Sequence, residues 1–213
     1  MKYPVVVVVV ALGLLTVSAA VASAATQHWY TEGFVKGKLV PVGSTATPVT
    51  ATATSTFHIT YAVSGYTDDI ECQTAGIGSS VRNPADGSAG VLQSTFAFSG
   101  CKSLKHPTCI VKNEQVNTPT LLGLAEEGAL GKAVTYGSPA QIATLNLQGA
   151  QCLFGGGAFE LTGKVTSVLV PGSESEYEFV KTTPSQLKLG GSAAYLTGRY
   201  KISKEGRPVI MAP

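Results

Sequence analysis

The chain has 213 residues, of which 15 are basic and 13 acidic, and only 13% are charged. A balance this close to zero, with no basic run, argues against nucleic acid or an anionic membrane surface as a partner. A chain of this length buries one sizeable core, so a single domain is expected.

The N-terminus opens Met1-Lys2-Tyr3-Pro4, and 5–21 carries no charged residue. Ala22-Ser23-Ala24 follows. A positive start, an apolar middle and a small-residue end predict a secretory signal over 1–24, cut between Ala24 and Ala25. The alternative is an uncleaved anchor, since the apolar run approaches the length of a membrane span; the small-residue end favours cleavage. The mature domain is then 25–213, secreted or at the cell surface, with no further membrane span. The general secretion route is expected, because there is no Arg-Arg pair.

Beyond the signal the recurring pattern is the β-strand. Residues 29–40 read as one or two short strands broken by Gly33 and Gly37. Over 49–63 apolar and polar residues alternate almost strictly: Val49, Ala51, Ala53, Phe57, Ile59, Tyr61 and Val63 against Thr50, Thr52, Thr54, Thr56, His58 and Thr60. Period two over this length requires a strand with one dry and one wet face. A turn at 65–69 precedes a strand at 70–81 carrying Cys72, and Asn83-Pro84-Ala85-Asp86-Gly87 is a turn signal.

The stretches 91–101 and 109–116 read as a hairpin with a cysteine at each mouth of its loop, and Phe96 and Phe98 point to one face. In 120–130 an incipient helix is interrupted by Gly123 and Gly128, which favours strand. Ser138-Pro139-Ala140-Gln141 fits a capping box, but Ala143, Leu145 and Leu147 alternate after it. The segment therefore reads as a turn into a strand that reaches Cys152. Gly155-Gly156-Gly157 turns the chain. Phe159, Leu161, Val165 and Leu169 alternate up to Pro171-Gly172, 173–181 holds Tyr177 and Phe179, and 183–186 starts one helical turn. A last strand runs through Leu196, Gly198, Tyr200 and Ile202.

Ten to twelve strands with closely spaced turns and no long helix predict an all-β antiparallel sandwich or flattened, jelly-roll-like barrel. Four cysteines in an exported domain predict two disulfides. Three pairings are possible. The short loop favours Cys101–Cys109, leaving Cys72–Cys152, worth about 2.5 and about 4.5 kcal/mol by chain entropy. On that pairing, loss of Cys72 costs more than loss of Cys101.

Phe96-Ala97-Phe98-Ser99-Gly100-Cys101, Cys109-Ile110-Val111, the earlier Cys72, and Cys152-Leu153-Phe154-Gly155-Gly156 followed by Leu161-Thr162-Gly163 form one constellation. It resembles small secreted bacterial proteins of unknown function and, more distantly, the secreted alkane-oxidation activator family. The likeness implies a fold and a compartment; it carries over no catalytic residue.

Catalytic signatures are sparse. There is no Gly-x-Ser-x-Gly elbow. His28, His58 and His106 read as solvated residues, with His58 on the wet face of its strand. Three acidic groups stand out: Asp68, Asp69 and Glu71; Glu126 and Glu127; Glu174, Glu176 and Glu178. Paired carboxylates would suit glycoside hydrolysis and the first group calcium, but neither spacing matches, so all three read as solvated turns and edges. Gly155-Gly156-Gly157 lacks the Lys-Ser or Lys-Thr of a phosphate cradle. The threonine face from Thr50 to Thr60 offers a regular surface to a glycan or crystal, though one strand is little area. The expectation is a non-enzymatic exported module that binds a cell-surface or polysaccharide component or serves structurally, with no cofactor or metal. The alternative is a secreted hydrolase or small-ligand barrel using clustered carboxylates, or His58 with an acid and a hydroxyl.

Overall fold

The structure is a computed structural model, and it describes residues 28–32, 37–43, 47–74, 77–87, 90–94, 98–114, 121–125, 132–181 and 185–212. The expected signal at 1–24, Phe96, Glu126, Glu127 and the helical turn from Thr183 lie outside those residues or begin outside them.

Sixteen strands form among the described residues. They are β1 (His28–Thr31), β2 (Lys38–Leu39), β3 (Thr47–Ala53), β4 (Phe57–Val63), β5 (Tyr66–Thr74), β6 (Ile77–Arg82), β7 (Val91–Ser94) and β8 (Phe98–Ser103). There follow β9 (Ile110–Glu114), β10 (Leu121–Ala125), β11 (Lys132–Gln148), β12 (Gly156–Leu169), β13 (Glu176–Val180), β14 (Leu187–Leu189), β15 (Ser192–Lys204) and β16 (Arg207–Ala212). A single 3-10 turn, Leu153–Gly155, leads into β12. Among the described residues no helix is long and apolar enough to cross a membrane. The all-β antiparallel class is therefore as expected. The strand count is higher because the stretches expected as single strands at 49–63 and 70–81 each hold two, β14 is too short to show a period, and β16 lies beyond the last strand expected.

The strands join in the order β13-β12-β11-β10-β7-β6-β3-β15-β16-β1-β2, and β13 also pairs β15, so the ladder returns on itself. β4 pairs β15 and β5, β5 pairs β8, and β9 pairs β11.

The long alternation at 49–63 is two strands laid end to end along β15. β15 advances from Thr197, opposite His58, to Tyr200, opposite Ala53. The other edge uses two more residues over that span. An even insertion keeps the two-residue period in phase, so Val49, Ala51, Phe57, Ile59 and Tyr61 all stay buried. The bulge is stitched to one residue: the Arg199 amide donates to Ser55 Oγ at 2.8 Å, and its carbonyl accepts from the Thr54 amide at 2.9 Å. Phe57 then packs against Gly198, where a Cβ would lie 2.8 Å from its ring.

Three other expectations change. The turn at 65–69 is only Ser64-Gly65, both at positive φ, so Thr67, Asp68 and Asp69 belong to β5. The turn at 138–141 lies inside β11, where the register against β12 jumps between Tyr136 and Gln141 and again before Ala143. Pro139 sits in that jump, consistent with a residue that cannot donate to a ladder. Among the described residues, the supposed hairpin of 91–101 and 109–116 is not a ladder. β8 pairs β5 and β9 pairs β11.

That divergence corrects the disulfides. All four cysteines are paired, but as Cys72–Cys101 and Cys109–Cys152, not Cys101–Cys109 and Cys72–Cys152. Cys72 on β5 faces Cys101 on β8 across the register irregularity between Glu71 and Gln73. Cys109, just before β9, meets Cys152 just past the end of β11. Two such bridges place the folded chain in an oxidising compartment.

The core is aromatic. Phe57 meets Phe98 and Phe179 edge-on, Phe179 lies 5.0 Å from Tyr200, Tyr200 stacks on Tyr177, and Tyr177 reaches Trp29. Each such side chain, fully buried, contributes about 1.5–3 kcal/mol. Tyr200 OH shares a hydrogen bond with Ser167 Oγ at 2.9 Å. Its pKa is pushed up to about 12, by burial first and against the pull of Ser167, so the phenol stays neutral.

Asn83, read as a turn residue, is fully buried. Its side chain bridges two segments. Oδ1 accepts from the Trp29 amide at 2.8 Å, and Nδ2 donates to the carbonyls of Trp29 at 3.1 Å and Val40 at 2.9 Å.

Candidate functional site

Three neighbouring strands, β15, β4 and β5, turn one face to the core and one to solvent. Ile59, Tyr61, Asp68, Ile70, Ala194 and Leu196 are buried. The alternate residues form two outer rows. One runs Thr197, His58, Glu71 and Lys102 across β15, β4, β5 and β8; the other runs Tyr195, Thr60 and Asp69.

His58 links the rows. Its Nδ1 lies 3.0 Å from Asp69 Oδ1, and a carboxylate there makes Nδ1 the donor. Nε2 lies 3.3 Å from Thr56 Oγ1 and 3.9 Å from Glu71 Oε2. Glu71 Oε1 accepts from Lys102 Nζ at 2.9 Å. That hydrogen bond holds the Glu71 carboxyl below its ordinary value, with the charges of Lys102 and His58 adding to it and desolvation opposing it.

Thr56, His58 and Asp69 thus stand in the order hydroxyl, imidazole, carboxylate, the order of an activated nucleophile. Two features weaken that use. Glu71 approaches the same ring nitrogen as Thr56, and Thr56 is exposed on the β3–β4 bulge rather than sheltered from water.

Strand alternation splits the first acidic group. Asp69 and Glu71 face outward, whereas Asp68 is turned inward and is 1% exposed. Asp68 is therefore not a solvated turn residue. The Ser103 hydroxyl lies 2.8 Å from both its carboxylate oxygens, and Asp68 Oδ1 also accepts the amides of Asp69 at 2.8 Å and Lys105 at 3.4 Å. Ser103 Oγ in turn accepts the His106 amide at 2.9 Å. A charge buried this deeply persists only when so supplied with donors, and the effect is to pin the loop after β8 onto β5. Tyr61, opposite Asp68 in register, has its pKa raised by burial first, by the Asp68 charge next and then by its neighbour Tyr66.

The pinned loop walls a cleft of about 420 Å³ over this face. Its floor is Thr60, Ala62, Thr67 and Asp69, with the half-buried Tyr195 as an aromatic shelf. Lys105 projects from the loop, its Nζ donating to Thr67 Oγ1 at 3.2 Å. Lys181, just after β13, lies with Nζ 5.7 Å from the centre of the Tyr195 ring. Such a volume falls within the range that encloses a small ligand.

The other sequence candidates fall elsewhere. Glu176 and Glu178 do share a face of β13, but they oppose Lys201 and Arg199 on β15, and Glu178 pairs with Arg199 at 3.3 Å. His106 stacks on Tyr66 at 4.4 Å, with its Nε2 3.1 Å from the Thr67 carbonyl. His28 pairs through its backbone with Ala212. Of Gly155-Gly156-Gly157, expected to turn the chain, only Gly155 lies in the turn; Gly156 and Gly157 open β12 opposite Gln148 and Leu147. Of the threonine face, Thr50 and Thr52 are exposed and only Thr60 reaches the cleft. Lys105, Lys181 and Tyr195 were missed. Tyr195 was legible as the outward neighbour of Leu196; nothing local marks either lysine.

Comparison with protein-family models, with curated proteins and with solved structures gives no match.

Proposed function

We propose that this is an exported, non-catalytic binding module, released by cleavage after Ala24, whose outer-face cleft holds a polyhydroxylated ligand such as a cell-surface polysaccharide. The observation that carries the reading is the cleft over β15, β4 and β5. It combines the Tyr195 ring with the Thr60 and Thr67 hydroxyls and the Asp69 carboxylate, all on rigid strands. An aromatic face packs against the C–H surface of a sugar, while carboxylate and hydroxyl groups orient its hydroxyls. Pull-down of the purified domain on insoluble polysaccharides and cell-wall fractions tests it. Retention on at least one, lost in Tyr195→Ala, supports the reading; equal retention of the variant, or none of either protein, overturns it.

A second reading rests on Thr56, His58 and Asp69: a hydrolase in which His58 draws the proton from the Thr56 hydroxyl. Turnover of activated esters that disappears in both Thr56→Val and His58→Gln would favour it over the binding module.

A further inference from the structure

We infer that the ligand of this cleft is an anionic sugar, its charged group held by Lys105 and Lys181 and its hydroxyls by Asp69 and the threonines. The inference rests on the polysaccharide-binding reading and narrows its substrate class. It comes from which charged groups in the cleft already have hydrogen-bond partners. Asp68 is turned into the protein and supplied by Ser103 and two backbone amides. Asp69 Oδ1 accepts a hydrogen bond from His58 Nδ1. Neither lysine has a carboxylate within 4.0 Å among the described residues; Lys105 reaches only a hydroxyl and Lys181 only a ring face.

The cleft therefore offers two ammonium groups that contact no carboxylate among the described residues, and an acidic group on the ligand is their complement. The same two contacts preorganise them. The Thr67 hydroxyl and the backbone pinned to Asp68 hold Lys105 at one wall, and the Tyr195 ring holds Lys181 beside the shelf on which a sugar would lie. The Asp69 carboxylate disfavours a densely charged ligand at the floor and accepts sugar hydroxyls instead. One acidic group per ring, as in a uronate or a singly sulfated sugar, satisfies both demands.

Titration calorimetry of the intact mature domain decides it, with an oligogalacturonate, a sulfated galactan oligomer and a neutral glucan oligomer as probes. The variants are Lys105→Gln and Lys181→Gln, with Lys105→Arg and Lys181→Arg keeping the charge. Both lysines are exposed, and melting curves confirm that each variant is folded. The expected result is acidic-sugar binding that weakens with added salt and falls about tenfold in each glutamine variant, as for loss of one charge-assisted hydrogen bond. The arginine variants should recover most of it, and the neutral oligomer should bind at least about tenfold more weakly. Comparison of the two acidic probes then identifies carboxylate or sulfate as the preferred group. Equal affinity for neutral and acidic oligomers overturns the inference and leaves polysaccharide binding standing. Acidic-sugar binding that is indifferent to both glutamine variants overturns the assignment to this cleft. Binding of no sugar overturns the inference and the reading beneath it together.

Discussion

Asn83→Ala tests whether a side chain substitutes for a missing stretch of ladder. In the folded chain the Trp29 amide has Asn83 Oδ1 as acceptor, and the Val40 carbonyl accepts from Asn83 Nδ2. The Trp29 carbonyl also accepts from Asn83, but it keeps the Val40 amide at 2.9 Å. Truncation thus orphans two backbone groups on residues that are 0% and 1% exposed. At about 1–3 kcal/mol for each unsatisfied buried group, the expected loss is about 4 kcal/mol. In a chain of this size that lowers the melting temperature by about 10 °C. Urea unfolding measures the free energy, and hydrogen exchange at Trp29 reports whether its amide has lost protection. Asn83→Asp keeps the acceptor but turns both donors into lone pairs facing carbonyls. The new carboxyl has a folded pKa above its unfolded one, so this variant gains stability as pH falls and loses it as pH rises. A loss below about 1 kcal/mol in Asn83→Ala, as when a water fills the vacated space, refutes the reasoning.

Three further outcomes follow from the structure. Cys72→Ser and Cys101→Ser break the same bridge, so they should cost the same, about 3.6 kcal/mol from a separation of 29, and the double variant little more. The Cys109–Cys152 bridge, with a separation of 43, should cost about 4.0 kcal/mol, and peptide mapping of the oxidised protein should recover only these two pairs. Gly163→Ala should destabilise by roughly 3 kcal/mol or more. At φ +101° an added Cβ is strained, and it would fall well inside contact distance of the Gln186 carbonyl oxygen; an unchanged denaturation midpoint contradicts this. Lys102→Gln should raise the Glu71 pKa, followed by NMR, back toward 4.5. A depressed carboxyl stabilises the fold above its unfolded pKa, and the effect fades as pH drops through the folded value. Stability gained from this pair is therefore present at neutral pH and lost in acid, and an unmoved Glu71 titration would show that Lys102 is not the cause.

Much of the fold was legible because a strand with one buried face records its own period. Phe57, Ile59 and Tyr61 alternate with His58 and Thr60, and Leu196, Tyr200 and Ile202 repeat the pattern on β15. Even the two-residue bulge left the record intact, since it preserved the phase. The largest misreading concerns which strands adjoin. Adjacent strands 98–103 and 110–114 look like partners, and a short loop favours closure between Cys101 and Cys109. Yet the loop after Ser103 is bound to the buried Asp68, and each strand leaves for a different neighbour, β5 or β11. The cysteines follow their strands.

The same division runs through the candidate site. Period two sufficed to place His58 outward, and Tyr195 could have been placed in the same way, because the face of a residue is a local property of its strand. That Asp68 is buried and Asp69 is not depended on a turn of two residues rather than five. That Lys105, Lys181, Thr60 and Tyr195 surround one cleft depended on β4 lying between β15 and β5, with a loop fastened over them. Alternation, export-type cysteines and turn residues are written residue by residue and establish an antiparallel β-protein with two bridges. Which strands adjoin, which sulfurs meet and which charges share a cleft are long-range choices. They are settled by competition among many ladders of similar local merit, and only the packed chain resolves that competition.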